Sequence, residues 1–288
     1  MIKRDLLGVP VTALGPEEAA DRILAWAANA PTGRYVCFSP ADHLARAHRQ
    51  PAFAQVLRRA DLVVPDGMGV VWALGLLGCR QVQRVYGPDA TLLVLAAAER
   101  AAVPVGFYGA APETLARLAA AVRARFPGLR IAYAWSPPFR PLTAEEDEAV
   151  TRAVNASGAR ILFVGLGTPK QEYWMAAHRG RIHAVMLGVG AAFDFLAGTK
   201  RQAPRWMMRA GLEWLFRFCT EPRRLWRRYL INNPRFVLLV AGQLLRSRRR
   251  RTPTTNDVSD RGIVLPEEKP AASGMVRIRD STGFRLPL

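Results

Sequence analysis

"RILFVGLGTPKQEYWMAAHRGRIHAVMLGVG", residues 160–190, holds two short apolar runs with a helix-like start between them. The runs at 160–167 and 183–190 have strand length, are rich in Val, Ile, Leu and Phe, and end in glycines. Between them Thr168 stands where a helix cap belongs, Pro169 suits the first helical position, and Gln171 occupies the place that closes a capping box. Strand, glycine turn, helix and strand make the repeating unit of a parallel sheet, whose neighbouring strands need a crossover connection. The same alternation runs through the first 199 residues. "RYVCF" (34–38), "DLVVP" (61–65), "VPVGFYG" (103–109) and "LRIAYAW" (129–135) interleave with helical patterns such as "APETLARLAAAVRARF" and "TAEEDEAVTRAVNAS". This predicts an α/β fold with a mostly parallel, Rossmann-like sheet and helices on both faces. In the second helical pattern Thr143 and Glu146 form a capping box, so the acidic run "EEDE" reads as a dipole-favoured first turn rather than a metal site.

A chain of 288 residues, half of them hydrophobic, can build its core without disulfides or a structural metal. Cys37, Cys79 and Cys219 are odd in number, far apart and without CxxC spacing, which fits a reducing compartment. The opening "MIKRDLLGVPVTALGPEEAADRIL" breaks its apolar pieces too often for a signal peptide, and no run reaches the length that spans a bilayer. A cytoplasmic location follows as the expectation.

The net charge of +18 is concentrated. Residues 200–251 carry 15 Lys and Arg against two acids, and 14 of those cations are arginine, the side chain that grips phosphate as a planar fork. Trp206, Trp214, Phe216, Phe218, Leu225, Trp226, Tyr229 and the run "FVLLVAGQLL" are interleaved with them. Aromatics and arginines on amphipathic helices describe a segment lying at an anionic membrane surface, although a helix packed on the sheet gives the same pattern. The expected organisation is an α/β core over 1–199, a basic helical appendage that associates with membrane over 200–251, and a disordered Pro/Ser/Thr/Gly-rich tail over 252–288.

Ligands of such sheets gather at the carboxyl ends of strands. Three ends carry polar groups. "FSPADHLARAHR" places Ser39, Asp42 and His43 at a strand-to-helix turn; "LVVPDGMG" puts Asp66 beside Gly67 and Gly69; "VGLGTPKQEYW" offers Gly167 and Gln171 at a helix start. Each has a plainer reading: Asp66 and Gln171 as helix caps, and His43, His48, His178 and His183 as ordinary core or surface histidines, since none has metal-ligand spacing. "GLGTPK" and "GVGAAF" do not complete GxGxxG, and neither a P-loop nor a GxSxG elbow is present.

Taken in order, "SPADH", "PDGMGVVWA", "RVYGPDA", "FYGAAPE", "FVGLGTPKQEYW", "GVGAAFDFLAGTKRQAP" and "EPRRLWRRYLINNPRF" resemble the WecG/TagA/CpsF glycosyltransferases, glycosyltransferase family 26, over about residues 5–240. The resemblance implies transfer of a sugar from a UDP-sugar to a polyprenyl-diphosphate-linked saccharide at the cytoplasmic face of a bacterial membrane. It further implies inverting chemistry with no metal and no other cofactor, the sugar being N-acetylmannosamine, its uronic acid or glucose. Such a displacement needs a base at the acceptor hydroxyl and positive groups at the departing diphosphate. Asp66 is the expected base, in an apolar surround that strengthens its basicity. No DxD cation motif occurs, so Arg84, Arg224, Arg227 and Arg228 are expected to receive the diphosphate. Ser39 and Gln171 are expected as neutral donors, with Gly67, Gly167 and Gly190 admitting substrate, and Asp194 is expected to orient the nucleotide or, equally, to cap a helix. The family often has asparagine after the proline of the first motif; here Ala41 stands there, leaving Asp42 or His43 to supply that polar contact.

Two other classes share parts of the pattern. A nucleic-acid-binding protein would use the basic segment on phosphates, but its charge is interleaved with too many Leu, Val and Phe for a solvated groove, so no nucleic-acid partner is expected. An NAD-dependent oxidoreductase would share the α/β alternation but lacks the complete fingerprint. Oligomeric state is left open.

Overall fold

The computed structural model describes residues 2–29, 33–79 and 81–249. The tail expected over 252–288 and the arginines at 250 and 251 lie outside the described residues, as do the side chains of Arg224, Arg227 and Arg228. The chain opens with a hairpin, β1 (Ile2–Leu6) and β2 (Val9–Ala13), followed by α1 (Pro16–Ala28), β3 (Tyr35–Ser39), α2 (Ala41–Arg49), α3 (Pro51–Arg59) and β4 (Leu62–Pro65). Then come α4 (Met68–Leu76), α5 (Gly87–Arg100), β5 (Val105–Gly109), α6 (Pro112–Arg125), β6 (Ile131–Trp135), α7 (Ala144–Ser157), β7 (Ile161–Gly165), α8 (Lys170–Ala177) and β8 (Val185–Gly188). After α9 (Ala192–Leu196) the basic region supplies α10 (Arg205–Arg209), α11 (Glu213–Thr220), α12 (Pro222–Trp226), a π-helical turn (Arg227–Asn232) and α13 (Asn233–Arg249).

Six strands form one parallel sheet in the order β4-β3-β8-β7-β5-β6, as the alternation predicted. Alternate residues serve opposite faces, as the strand period of two requires. Val36, Phe38, Ile161, Phe163, Val185 and Leu187 pack into one core with α1, α5, α6 and α9. Tyr35, Cys37, Leu162, Val164, Ala184 and Met186 pack into the other with α2, α3, α7, α8 and the hairpin. A sheet covered on both faces reads as continuous apolar runs, which is why "ILFV" and "VML" gave no alternating pattern. The predicted capping box also forms: Glu146 N donates to Thr143 Oγ1 at 3.2 Å and Thr143 N to Glu146 Oε2 at 2.9 Å.

The β1–β2 hairpin was not anticipated. It turns through Leu7 and Gly8, both at positive φ, and its β2 strand packs against β4.

The basic region packs into the same compact unit, which runs from Met1 to Arg249. Phe236 and Val240 of α13 are buried in the core beside α2. Gln243 then clamps the hairpin: its Oε1 accepts from Leu7 N at 2.9 Å and its Nε2 donates to Asp5 O at 2.9 Å. At the other end Gly211, at φ +73°, sits against Trp72 of α4, where a Cβ would come within 2.8 Å of the ring. Replacing Gln243 by Leu removes both side-chain hydrogen bonds and is expected to cost about 1–2 kcal/mol in urea unfolding. Among the described residues no helix is long and apolar enough to cross a membrane.

Candidate active site

The polar strand ends meet at the carboxyl edge of β4, β3, β8 and β7, the crevice in which open α/β sheets hold ligands. Ser39 lies beside Pro65, and Asp66 N donates to Ser39 O at 3.2 Å, so the acid leaves its strand at a fixed height. Val85 N donates to Pro65 O at 2.9 Å, and Gly87 N, at the start of α5, donates to Asp66 Oδ1 at 3.3 Å. A 14-residue helix therefore points its positive end at this carboxylate. Asp66 is not the cap of α4; Gly67 holds that position without a side-chain cap bond. A Cβ at Gly67 would meet nothing within 4 Å, so the backbone there borders open space beside the carboxylate. A point next to Gly87 lies 3.8 Å from both Asp66 Oδ2 and Val189 O, which puts the turn after β8 across the same crevice.

The surround of Asp66 differs from the apolar one that "LVVP" suggested. Burial works against the Arg84 charge, but the neighbouring carboxylates of Asp66 and Glu213 outweigh it and raise the guanidinium pKa. Arg84 pairs with Glu213 at the start of α11, its guanidinium carbon 4.1 Å from the centre of the Tyr86 ring, and Tyr86 OH donates to Glu213 Oε1 at 3.0 Å. Burial, then Glu213 and Asp66, push the Tyr86 phenol far up, so it stays a donor. Arg84 is thus gripped from the basic region. Sequence reasoning missed Tyr86 and Glu213, although Glu213 is one of only two acids in 200–251 and stood out for that reason.

On the β7–β8 side the anticipated capping box does not form. Pro169 takes the cap position of α8 with no side-chain bond, and Thr168 and Gln171 turn inward. Thr168 Oγ1 donates to Glu172 Oε1 at 3.2 Å and lies 2.8 Å from His43 Nε2. A hydroxyl has one proton, so giving it to the carboxylate makes His43 Nε2–H the donor to Thr168. Gln171 Nε2 donates to Glu172 Oε1 at 2.8 Å and to Gly188 O at 2.9 Å. Both amide hydrogens are spent, so Gln171 offers an acceptor rather than the donor expected from the sequence. Its Oε1 would lie 3.3 Å from a Cβ at Gly190, and its Nε2 3.2 Å from one at Gly188, so glycine at these positions leaves room for the amide. Among the described residues Ser39 Oγ, Gln171 Oε1 and Glu172 Oε2 are buried without a hydrogen-bond partner. Glu172, fully buried, is a third residue the sequence did not single out.

The remaining candidates are spread out. Asp42 and His43 are buried in the first turn of α2, with His43 edge-on to Phe53 at 5.9 Å. Gly167, at φ +76°, makes the turn before α8 and accepts from Gln171 N through its carbonyl. Asp194 does not cap α9 but lies inside it, accepting from Thr199 Oγ1 at 3.4 Å and lying 3.5 Å from Lys200 Nζ. Lys200 Nζ is also 3.0 Å from Glu221, so this carboxylate helps tie down the basic region. The backbones of Arg224, Arg227 and Arg228 belong to α12 and the π-helical turn. Among the described residues no three His, Cys, Asp or Glu side chains group as metal ligands.

The family model described as "Glycosyl transferase WecG/TagA/CpsF family" matches residues 4–250. The chain is also similar to a Bacillus spizizenii protein named N-acetylglucosaminyldiphosphoundecaprenol N-acetyl-beta-D-mannosaminyltransferase, with 34% identity over 195 residues, covering 67% of this chain and 73% of that one.

Proposed function

The chain belongs to the WecG/TagA/CpsF family of glycosyl transferases, and from that premise we propose that it moves a sugar from a UDP-sugar to a polyprenyl-diphosphate-linked saccharide, with inversion. N-Acetylmannosamine is the proposed sugar and an N-acetylglucosamine-terminated diphospholipid the proposed acceptor, after the activity named for the Bacillus relative. The observation that carries the reading is Asp66, fixed at a strand tip by Gly87 N–H, beside a guanidinium, with open space at Gly67. In the proposed step Asp66 takes the proton of the acceptor hydroxyl. The freed oxygen attacks the anomeric carbon from the face opposite the departing UDP, whose bond breaks as the new one forms. Arg84, with Arg224, Arg227 and Arg228, neutralises the charge gathering on the diphosphate, so the step needs no divalent cation.

The acceptor's lipid tail gives the basic region its second role. On α13, Leu238, Ala241 and Leu245 fall on one stripe, the two leucines strongly exposed, while Phe236 and Val240 face the core. Apolar residues facing outward between arginines suit an anionic bilayer, and the protein is proposed to work as a peripheral protein on the cytoplasmic membrane face.

The test is transfer from a panel of UDP-sugars to a short-chain N-acetylglucosaminyl diphospholipid, in anionic vesicles and with or without EDTA. UDP-N-acetylmannosamine is expected to be used, EDTA to leave the rate unchanged within about twofold, and vesicles to raise it about tenfold or more. No transfer from any UDP-sugar in the panel overturns the reading.

A further inference from the structure

We propose that Glu213 is a positioning residue for the transfer reaction, a carboxylate carried in by the basic region to hold Arg84 at the edge of the crevice beside Asp66. The inference rests on the glycosyl-transfer reading above. It starts from composition. Residues 200–251 hold two acids among 15 cations; Glu213 turns back to the preceding chain, to Arg84, whereas Glu221 pairs with Lys200 inside the region. A region that binds only phosphate or lipid headgroups gains nothing from either acid. Their contacts show what they do instead.

Glu213 grips two groups at once. One oxygen takes Arg84 Nη2 and the other accepts from Tyr86 OH at 3.0 Å, while the guanidinium stacks on the Tyr86 ring at 4.1 Å. An arginine has four rotatable bonds, and here its head is held at one edge and on one face, which is the kind of preorganisation that charge stabilisation in a transition state requires. The Arg84 and Glu213 side chains are 15% and 13% exposed, so solvent screens this pair far less than a surface pair. Glu213 also opens α11, where the helix dipole favours a negative side chain, so its place is set by its own helix as well as by its partners.

The charge balance explains why an acid is needed. Two carboxylates, Asp66 and Glu213, both act on the single Arg84 cation, and Glu213 is in direct contact with it. With Glu213 holding one edge of the guanidinium, the Arg84 cation is shared between two carboxylates instead of being committed to Asp66 alone. Glu213 reaches the reaction only through Arg84, and its removal is expected to lower turnover rather than donor binding.

The experiment measures kcat and KM for UDP-N-acetylmannosamine, or for whichever UDP-sugar the protein uses, per UDP-binding site, in four full-length proteins: wild type, Glu213→Gln, Arg84→Met and the double variant. Glu213→Gln is expected to lose about 10- to 100-fold in kcat with KM within about threefold of wild type. The double variant is expected to be no slower than Arg84→Met alone, because a residue acting through Arg84 has nothing left to position. Glu213→Asp should recover part of the loss. Should Glu213→Gln fail to fold, Tyr86→Phe removes half the grip and is expected to lower kcat about threefold with the same indifference to Arg84→Met. An unchanged kcat in the folded variant, or losses that multiply in the double variant, overturns the inference. If wild type itself uses no UDP-sugar, it is the reading of the reaction that has failed instead.

Discussion

Asp66→Asn is expected to lower kcat by about 10²- to 10⁴-fold while UDP binds within a few-fold of wild type. The substitution keeps the shape, and its carbonyl oxygen can still accept from Gly87 N, so the strand tip and the start of α5 stay in place. What it removes is the lone pair that takes a proton. A cap or a purely structural acid would behave differently: an isosteric change would then cost stability and leave kcat per folded molecule alone. Measuring single-turnover transfer beside UDP affinity by calorimetry separates the two. A rate within tenfold of wild type removes Asp66 as the base.

Arg84→Met should be nearly as damaging and carries a signature in pH. Loss of the cation leaves the like charges of Asp66 and Glu213 without the guanidinium that both act on. Transition-state stabilisation of the diphosphate falls by about 10²- to 10³-fold, by analogy with other charged groups that face a leaving group. Stability falls as well, by about 1–3 kcal/mol, less than for a fully buried pair because both partners keep some exposure to water. The sign of the pH effect follows from the charges. The base must be ionised to work, and the guanidinium favours its ionised form, so removing Arg84 makes Asp66 hold its proton to higher pH. The acid limb of the kcat/KM profile is therefore expected to move upward in pH. An unmoved or lowered limb would mean that Arg84 does not act on Asp66.

Much of this architecture can be read from the chain. Strand-length apolar runs ending in glycine, with capped helices between them, leave little choice but a parallel sheet, and the Thr143–Glu146 box forms as its residues require. Asp66 was visible because a lone charge after "LVVP" has to lie where a strand meets solvent. What was not legible depends on long-range contact or on degenerate local code. The "TPKQ" pattern of residues 168–171 is the same whether Gln171 caps its own helix or reaches Gly188 seventeen residues away, so the direction of its amide could not be read. The grip on Arg84 joins residues 129 apart, and no local period announces it. The basic region showed its charge plainly, but charge hid its apolar underside. Phe236, Val240 and Gln243, which bind α13 to the core and the hairpin, sit among arginines that dominate the composition. The hairpin itself was missed because its turn, Leu7–Gly8, pairs a glycine with a leucine at positive φ rather than the Asn-Gly or Asp-Gly of common tight hairpins.

The most direct test is the structure of a ternary complex with UDP and a short-chain N-acetylglucosaminyl diphospholipid. The account predicts one Asp66 carboxylate oxygen at about 2.6–3.2 Å from the acceptor hydroxyl that is glycosylated, with Arg84 on the diphosphate side of the crevice. An Asp66 carboxylate turned away from that hydroxyl, or a divalent cation bridging the diphosphate in place of the arginines, contradicts it.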